Sequence, residues 1–169
     1  MRYDIKLRSP IEDQFSVTAV VDAGTAAQLA PGEPSKADDA AAASPWTGEV
    51  SIMVDGDGTT SQRFTGIAKS DSDETASAAG TVDLWLPLPG LVYEAAAKTA
   101  STADTEAEIL ALFGKRVVFD LTSDVWTVDA AAADAVANCV TIIGGDYQTS
   151  SLFFVYRPSG SMMDFCISA

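Results

Sequence analysis

The residues of this chain that could do chemistry are chiefly carboxylates. Asp71, Asp73 and Glu74 stand together in the stretch 70–80, SDSDETASAAG, and Asp38-Asp39 form a second acidic group. Such clusters act as general acids, bases or cation ligands when a fold desolvates them. Here they sit among Ser, Thr and Ala, so solvated loops are expected. Asp55-Gly-Asp-Gly-Thr59 opens like a calcium loop. A helix–loop–helix calcium site needs glycine at its sixth position and a bidentate Glu at its twelfth. Counted from Asp55, those positions hold Thr60 and Gly66, and strand patterns flank the segment, so it reads as a turn. Gly144-Gly145-Asp146 follows an apolar run, as a phosphate cradle would. Neither a GKS/T nor a GxGxxG continues it, and a turn is expected there too.

Histidine is absent from all 169 residues. That removes Ser-His-Asp and Cys-His triads, His-ligated zinc and the usual neutral-pH base. Cys139 and Cys166 lack CxxC spacing. They read as small buried apolar residues, with a disulfide between them as the other reading. The sequence thus assigns no catalytic residue, no cofactor-binding residue, no metal ligand and no cofactor, and the expectation is a protein that is not an enzyme. A carboxylate-type hydrolase such as a glycosidase is the remote alternative, since it needs two carboxylates about 5–10 Å apart in a cleft. The chain carries 10 basic against 24 acidic residues, a net charge of −14. Nucleic acid is not expected as a partner, because each phosphate contact asks for a Lys or Arg and these are scattered singly. No apolar run approaches the roughly 18 residues of a membrane span, so no membrane partner is expected either. The start, MRYDIKLRSPIEDQ, lacks the apolar block of a secretory signal.

The elements around these residues are mostly short strands. Phe15, Val17, Ala19 and Val21 alternate with polar residues, and so do Val82, Leu84 and Leu86. Strand patterns also cover 49–54, 63–68, 140–143 and 151–157, with 91–97 as an edge. Leu152 to Tyr156 is apolar on both faces, which predicts a central or covered strand. Thr105-Glu-Ala-Glu108 is a capping box for a helix that Gly114 can close. Arg116–Leu121 and Val125–Val128 read as a hairpin, and Asp129 can cap a short Ala-rich helix through about Ala137. The fold class expected is mainly β with one or two short helices, a small β-barrel or sandwich with an extended N-terminal arm. The division expected is an arm over 1–14, and a barrel-like domain over 15–97 that includes a Pro/Ala-rich strap at 23–48. An α+β portion over 98–157 packs on it, and 158–169 is a tail.

Arm and strap also supply the candidate contact residues. Tyr3, Ile5 and Leu7 alternate with charges and could add a strand to a partner's sheet edge. The strap, with Pro at 31, 34 and 45, is read as too interrupted for a central strand. It offers Leu29 and Trp46 as apolar anchors, Trp46 being balanced evenly between anchor and core. Trp85, opposite Val82, Leu84 and Leu86, is placed on a second surface, and Trp126 in cross-strand packing. Residues 1–14 and 23–48 are expected to make much of the contact with neighbouring chains, and 49–157 to be the self-sufficient folded body.

The stretch 19–97 resembles the head decoration, or cement, proteins of tailed bacteriophages. The resemblance rests on Pro31-Gly-Glu-Pro34, Phe64-Thr-Gly-Ile-Ala68, a Ser/Thr/Asp-rich loop, a strand after Ala-Ala-Gly80-Thr-Val82, and Pro89-Gly-Leu-Val-Tyr93. It implies a β-barrel-like virion structural protein, commonly a homotrimer, on the capsid exterior. There it would clamp subunits of the major capsid protein and stabilise the assembled shell. It carries no catalytic residues. Another virion component, such as a tail-tube, head-completion or head-fibre base protein, is the alternative.

Overall fold

The computed structural model describes residues 5–8, 16–21, 29–37, 49–58, 64–88 and 90–156. The chain is mainly β. In order, its strands are β1 (Ile5–Leu7), β2 (Ser16–Val21), β3 (Pro34–Ala37), β4 (Glu49–Ile52), β5 (Phe64–Ala68), β6 (Gly80–Trp85) and β7 (Tyr93–Ala96). A 3-10 turn (Ala100–Thr102) and the helix α1 (Glu106–Leu112) follow. The rest are β8 (Arg116–Val117), β9 (Phe119–Thr122), β10 (Val125–Val128), β11 (Val140–Asp146) and β12 (Ser151–Tyr156). Five strands close a barrel in the order β2-β4-β3-β5-β6. A second sheet runs β1-β7-β12-β11-β8, all antiparallel, and β9-β10 form a separate hairpin. Ser123 and Asp124 both take positive φ, 53° and 58°, between Thr122 and Val125. That is the two-residue turn whose twist suits a tight hairpin.

Side-chain alternation divides the apolar residues between two cores. Ala19, Val21, Leu29, Val50, Ala68, Val82 and Leu84 fill the barrel. Met53, Phe64, Ile67 and Trp85 project from its outer side and meet Tyr93, Phe119, Trp126, Val140, Phe154 and Tyr156 in a larger core shared with the second sheet. Phe64 stacks on Tyr156 with centroids 4.0 Å apart, and Phe119 meets Trp126 and Phe154 edge-on at 6.4 and 5.8 Å. Trp85 is therefore buried between the two bodies, not on a separate surface, and Trp126 packs beside Phe119 as the hairpin reading requires. β12 lies in the middle of its sheet, between β7 and β11, as its two apolar faces predict.

Several expectations fail for identifiable reasons. Ile5, Leu7 and Leu29, proposed as partner contacts, are 0%, 6% and 1% exposed in the chain's own cores. β1 pairs with β7 through Ile5↔Ala95 and Leu7↔Tyr93. On its other side the Ile5 N–H donates to the Gly32 carbonyl at 3.1 Å. β1 is thus the edge strand of the second sheet, bonded on its other side to the Gly32 carbonyl, and residues 5–8 are part of the folded body. The strap does contain a central strand, β3, between β4 and β5. Pro34 sits at its first residue, where a missing N–H is tolerated. β7 is internal, between β1 and β12, so the division near residue 97 does not follow the sheets. Residues 129–137 form no helix. The Asp129 carboxylate accepts from the Ala131 and Ala132 amides, and Asn138 Nδ2 donates to the Ala133 carbonyl. The Asp129 contacts are those of a helix cap, but the Ala133 carbonyl, which a helix would pair with the amide four residues on, is taken by the Asn138 side chain, and no helix follows. Gly144-Gly145-Asp146 belongs to β11, not to a turn, which comes after it. Tyr3, Trp46, Asp38, Asp39, Cys166 and the 158–169 tail lie outside the described residues.

Candidate functional site

The carboxylates singled out from sequence do not converge. Asp55 accepts the Leu121 amide at 3.0 Å, and Asp57, 5% exposed, accepts the Val54 amide at 2.8 Å and pairs with Lys36 at 3.1 Å. Around them Phe119 N–H donates to the Asp57 carbonyl and Cys139 N–H to the Gly58 carbonyl, both at 2.8 Å. The turn is a latch that fixes the barrel to β9 and to the entry of β11. In the 70–80 stretch Asp71 is exposed, while Asp73 accepts the Thr81 amide and hydroxyl. Glu74 departs from the solvated reading: it is 1% exposed. Its backbone presses so closely on Gly80 that a Cβ there would overlap it. Among the described residues no group of three or more His, Cys, Asp or Glu could hold a metal ion, and no helix is long and apolar enough to cross a membrane. Cys139 is buried, its Sγ 3.5 Å from the Ala137 carbonyl.

Two largely buried carboxylates, Glu94 and Asp120, are tuned by structural partners. Burial pushes Glu94 up, but hydrogen bonds from Arg8 and Ser151 and the charges of Arg8 and Lys6 hold it below the ordinary range. Burial likewise raises Asp120, and Lys98, Thr122 and Thr127 outweigh it, again leaving the carboxyl low. Each faces a cation of its own chain, at 2.7 Å for Arg8–Glu94 and 2.6 Å for Lys98–Asp120. These are ionised structural groups, unsuited to proton transfer near neutrality.

The feature that folding leaves unused is a groove beside α1. The helix forms as its capping box predicts: Thr105 Oγ1 accepts the Glu108 amide at 3.3 Å, and Glu108 accepts the Thr105 amide at 3.1 Å. Hydrogen bonds from Thr105 and Asp104 hold the Glu108 carboxyl low, which suits a negative charge in the first turn. Gly114, at φ +81°, ends the helix and donates its N–H to the Ile142 carbonyl at 2.8 Å. Leu112 turns into the large core. Glu106, Ile109, Leu110 and Phe113 recur at i, i+3, i+4 and i+7, so they share one face. That face looks across Gly144 and Gly145 of β11 toward Tyr147 and Phe153.

The two glycines make the floor. A Cβ at Gly145 would lie 2.5 Å from the Ser151 carbonyl oxygen, a backbone clash that excludes it, and 2.6 Å from the end of the Ile109 side chain, which rests on this glycine. A bulge between Ile142 and Gly144 brings Phe153 opposite Gly144, and Arg8 covers that ring with its guanidinium 4.7 Å from the centroid. The groove holds about 440 Å³ and is lined by a single carboxylate, Glu106. Leu110 is 75% exposed, Phe113 65% and Tyr147 46%. Large apolar side chains gathered on one exposed patch mark an interaction surface. Sequence reasoning placed Ile109, Leu110, Leu112 and Phe113 on the helix but did not see the groove. The i, i+3, i+4, i+7 spacing was available, and the strand opposite was not. No family model, no curated protein and no solved structure matches the chain.

Proposed function

We propose that this chain is a head decoration protein of a tailed bacteriophage, bound to the outside of the assembled shell. The observation that carries the reading is the ordered series of segments in 19–97 that resembles that family. Those segments sit in framework positions: Pro31-Gly-Glu-Pro34 leads into β3, Phe64–Ala68 is β5, Gly80 opens β6 and Tyr93 opens β7. Residues that carry a resemblance count for more when they build strands than when they decorate loops. An exposed apolar groove and a net charge of −14 add support, since both suit a protein whose work is to hold another protein.

The mechanism is thermodynamic. A module that binds the assembled lattice and not its separated subunits stabilises the lattice by mass action, by about 2.7 kcal/mol per site at a hundredfold excess over Kd. Association as a homotrimer lets one particle touch several subunits of the major capsid protein at once, which raises effective concentration. The test is to mix the purified protein with heads of the parent virus that lack it, sediment them, and locate added density by electron microscopy. Saturable binding to the outer surface, with a higher melting temperature of the heads, is expected. Heads that sediment without the protein would refute the reading.

A further inference from the structure

We propose that the groove between α1 and the β11–β12 hairpin is the docking site for a short basic, apolar segment of the partner: two large apolar side chains flanked by Lys or Arg. The proposal rests on the decoration reading, since it takes the segment to belong to a subunit of the shell. Three features carry it. The helix is already anchored by Leu112 in the core, Ile109 against Gly145 and the Gly114 amide on Ile142, so Leu110 and Phe113 are not needed for folding and yet stand 75% and 65% exposed. The opening is small. Leu110, Phe113 and Tyr147 offer far less than the roughly 800 Å² that each partner contributes to a stable subunit interface. A groove of about 440 Å³ is instead the scale at which a few inserted side chains are gripped.

Charge then selects the occupant. Glu106 lines the groove, Asp104 and Glu108 stand at the start of the helix, and Asp146 precedes Tyr147 at the hairpin end. The cations nearest that end are Arg8, engaged by Glu94 at 2.7 Å and by the Phe153 ring, and Lys6, which stands across from Glu94 and whose charge also acts on it. A second copy of this chain would bring one acidic rim against another on a protein of net charge −14. A segment bearing Lys or Arg beside its apolar anchors meets complementary charge on the same rim.

The test uses the full chain and the same depleted heads. Leu110→Asp and Phe113→Asp should each weaken binding to heads at least tenfold. Glu106→Lys should weaken it severalfold and flatten its dependence on salt. Val136→Asp, at an exposed apolar residue outside the groove, should bind like the parent chain. If the parent chain binds heads and the groove variants bind equally well, the docking site is refuted while the decoration reading stands. If the parent chain does not bind heads, both fall. A drop in mass by light scattering for Phe113→Asp would show that the groove joins copies of this chain. A melting temperature lowered by several degrees would show that the chain itself covers it. Either result would overturn the proposal.

Discussion

Replacing Ile5 by Ala asks whether the N-terminal segment is an accessory arm or part of the body. Ile5 is fully buried in the larger core and pairs with Ala95 across β1–β7. The substitution removes three carbons, worth about 0.8 kcal/mol each by transfer. Neighbours held by two strands cannot close the void completely, so a cavity adds to this, and measured losses for such changes run about 2–5 kcal/mol. We expect about 3 kcal/mol. For a chain of this size each kcal/mol lowers Tm by roughly 2–4 °C, giving a fall of about 6–12 °C. Lys6→Ala, one residue along on the exposed face of the same strand, should change stability by no more than about 0.5 kcal/mol. Urea unfolding followed by tryptophan fluorescence suits the question, because Trp85 and Trp126 are both in that core. A midpoint shift at constant slope reports stability alone. If Ile5→Ala unfolds within about 0.5 kcal/mol of the parent chain, β1 is not part of the folded body and the placement argued above is wrong.

Gly145→Ala should cost about 1–3 kcal/mol by overpacking, since the new methyl meets the Ser151 carbonyl and Ile109, and amide exchange in α1 should quicken. An unchanged Tm would refute the close packing of the Ser151 carbonyl and Ile109 on Gly145. Lys36→Met should destabilise by about 3 kcal/mol, because it leaves the buried Asp57 side chain without its ion-pair partner, and Lys36→Met with Asp57→Asn together should recover most of that. A double variant as unstable as the single one would show that the pair is not what matters. Glu94 and Asp120 both ionise below their ordinary values when folded. Their stabilisation is therefore complete above the unfolded-state values of about 4 and is lost as pH falls through the lower folded values. Melting temperature should fall steeply below about pH 4, and Glu94→Gln should flatten that slope. A slope unaltered in Glu94→Gln would count against the Arg8 pairing.

What the sequence determined by itself is what local chemistry determines. The capping box, the helix stop at Gly114 and the strands over 16–21, 64–68, 80–85 and 151–156 are written in spacings of a few residues, and so is the two-residue turn after Thr122. The lack of histidine needs no structure to exclude the chemistries that depend on it. Tertiary structure decided what depends on partners distant in the chain. The alternation of Ile5 and Leu7 shows that one face is apolar. Whether that face meets another protein or the chain's own Tyr93 and Ala95 is set by residues some ninety positions away. Pro34 looks like a strand breaker until its place at the mouth of β3 makes the missing N–H harmless. Gly144 and Gly145 look like a turn until β12 pairs with them and the Ser151 carbonyl and Ile109 take the space a side chain at Gly145 would fill. The groove is the clearest case. Its helix side was legible as a stripe at i, i+3, i+4 and i+7, whereas Tyr147 and Phe153 join it only because β11 and β12 pair beneath the helix. Burial on one face is a local pattern that a sequence displays, but which surfaces remain uncovered depends on where every other element has packed.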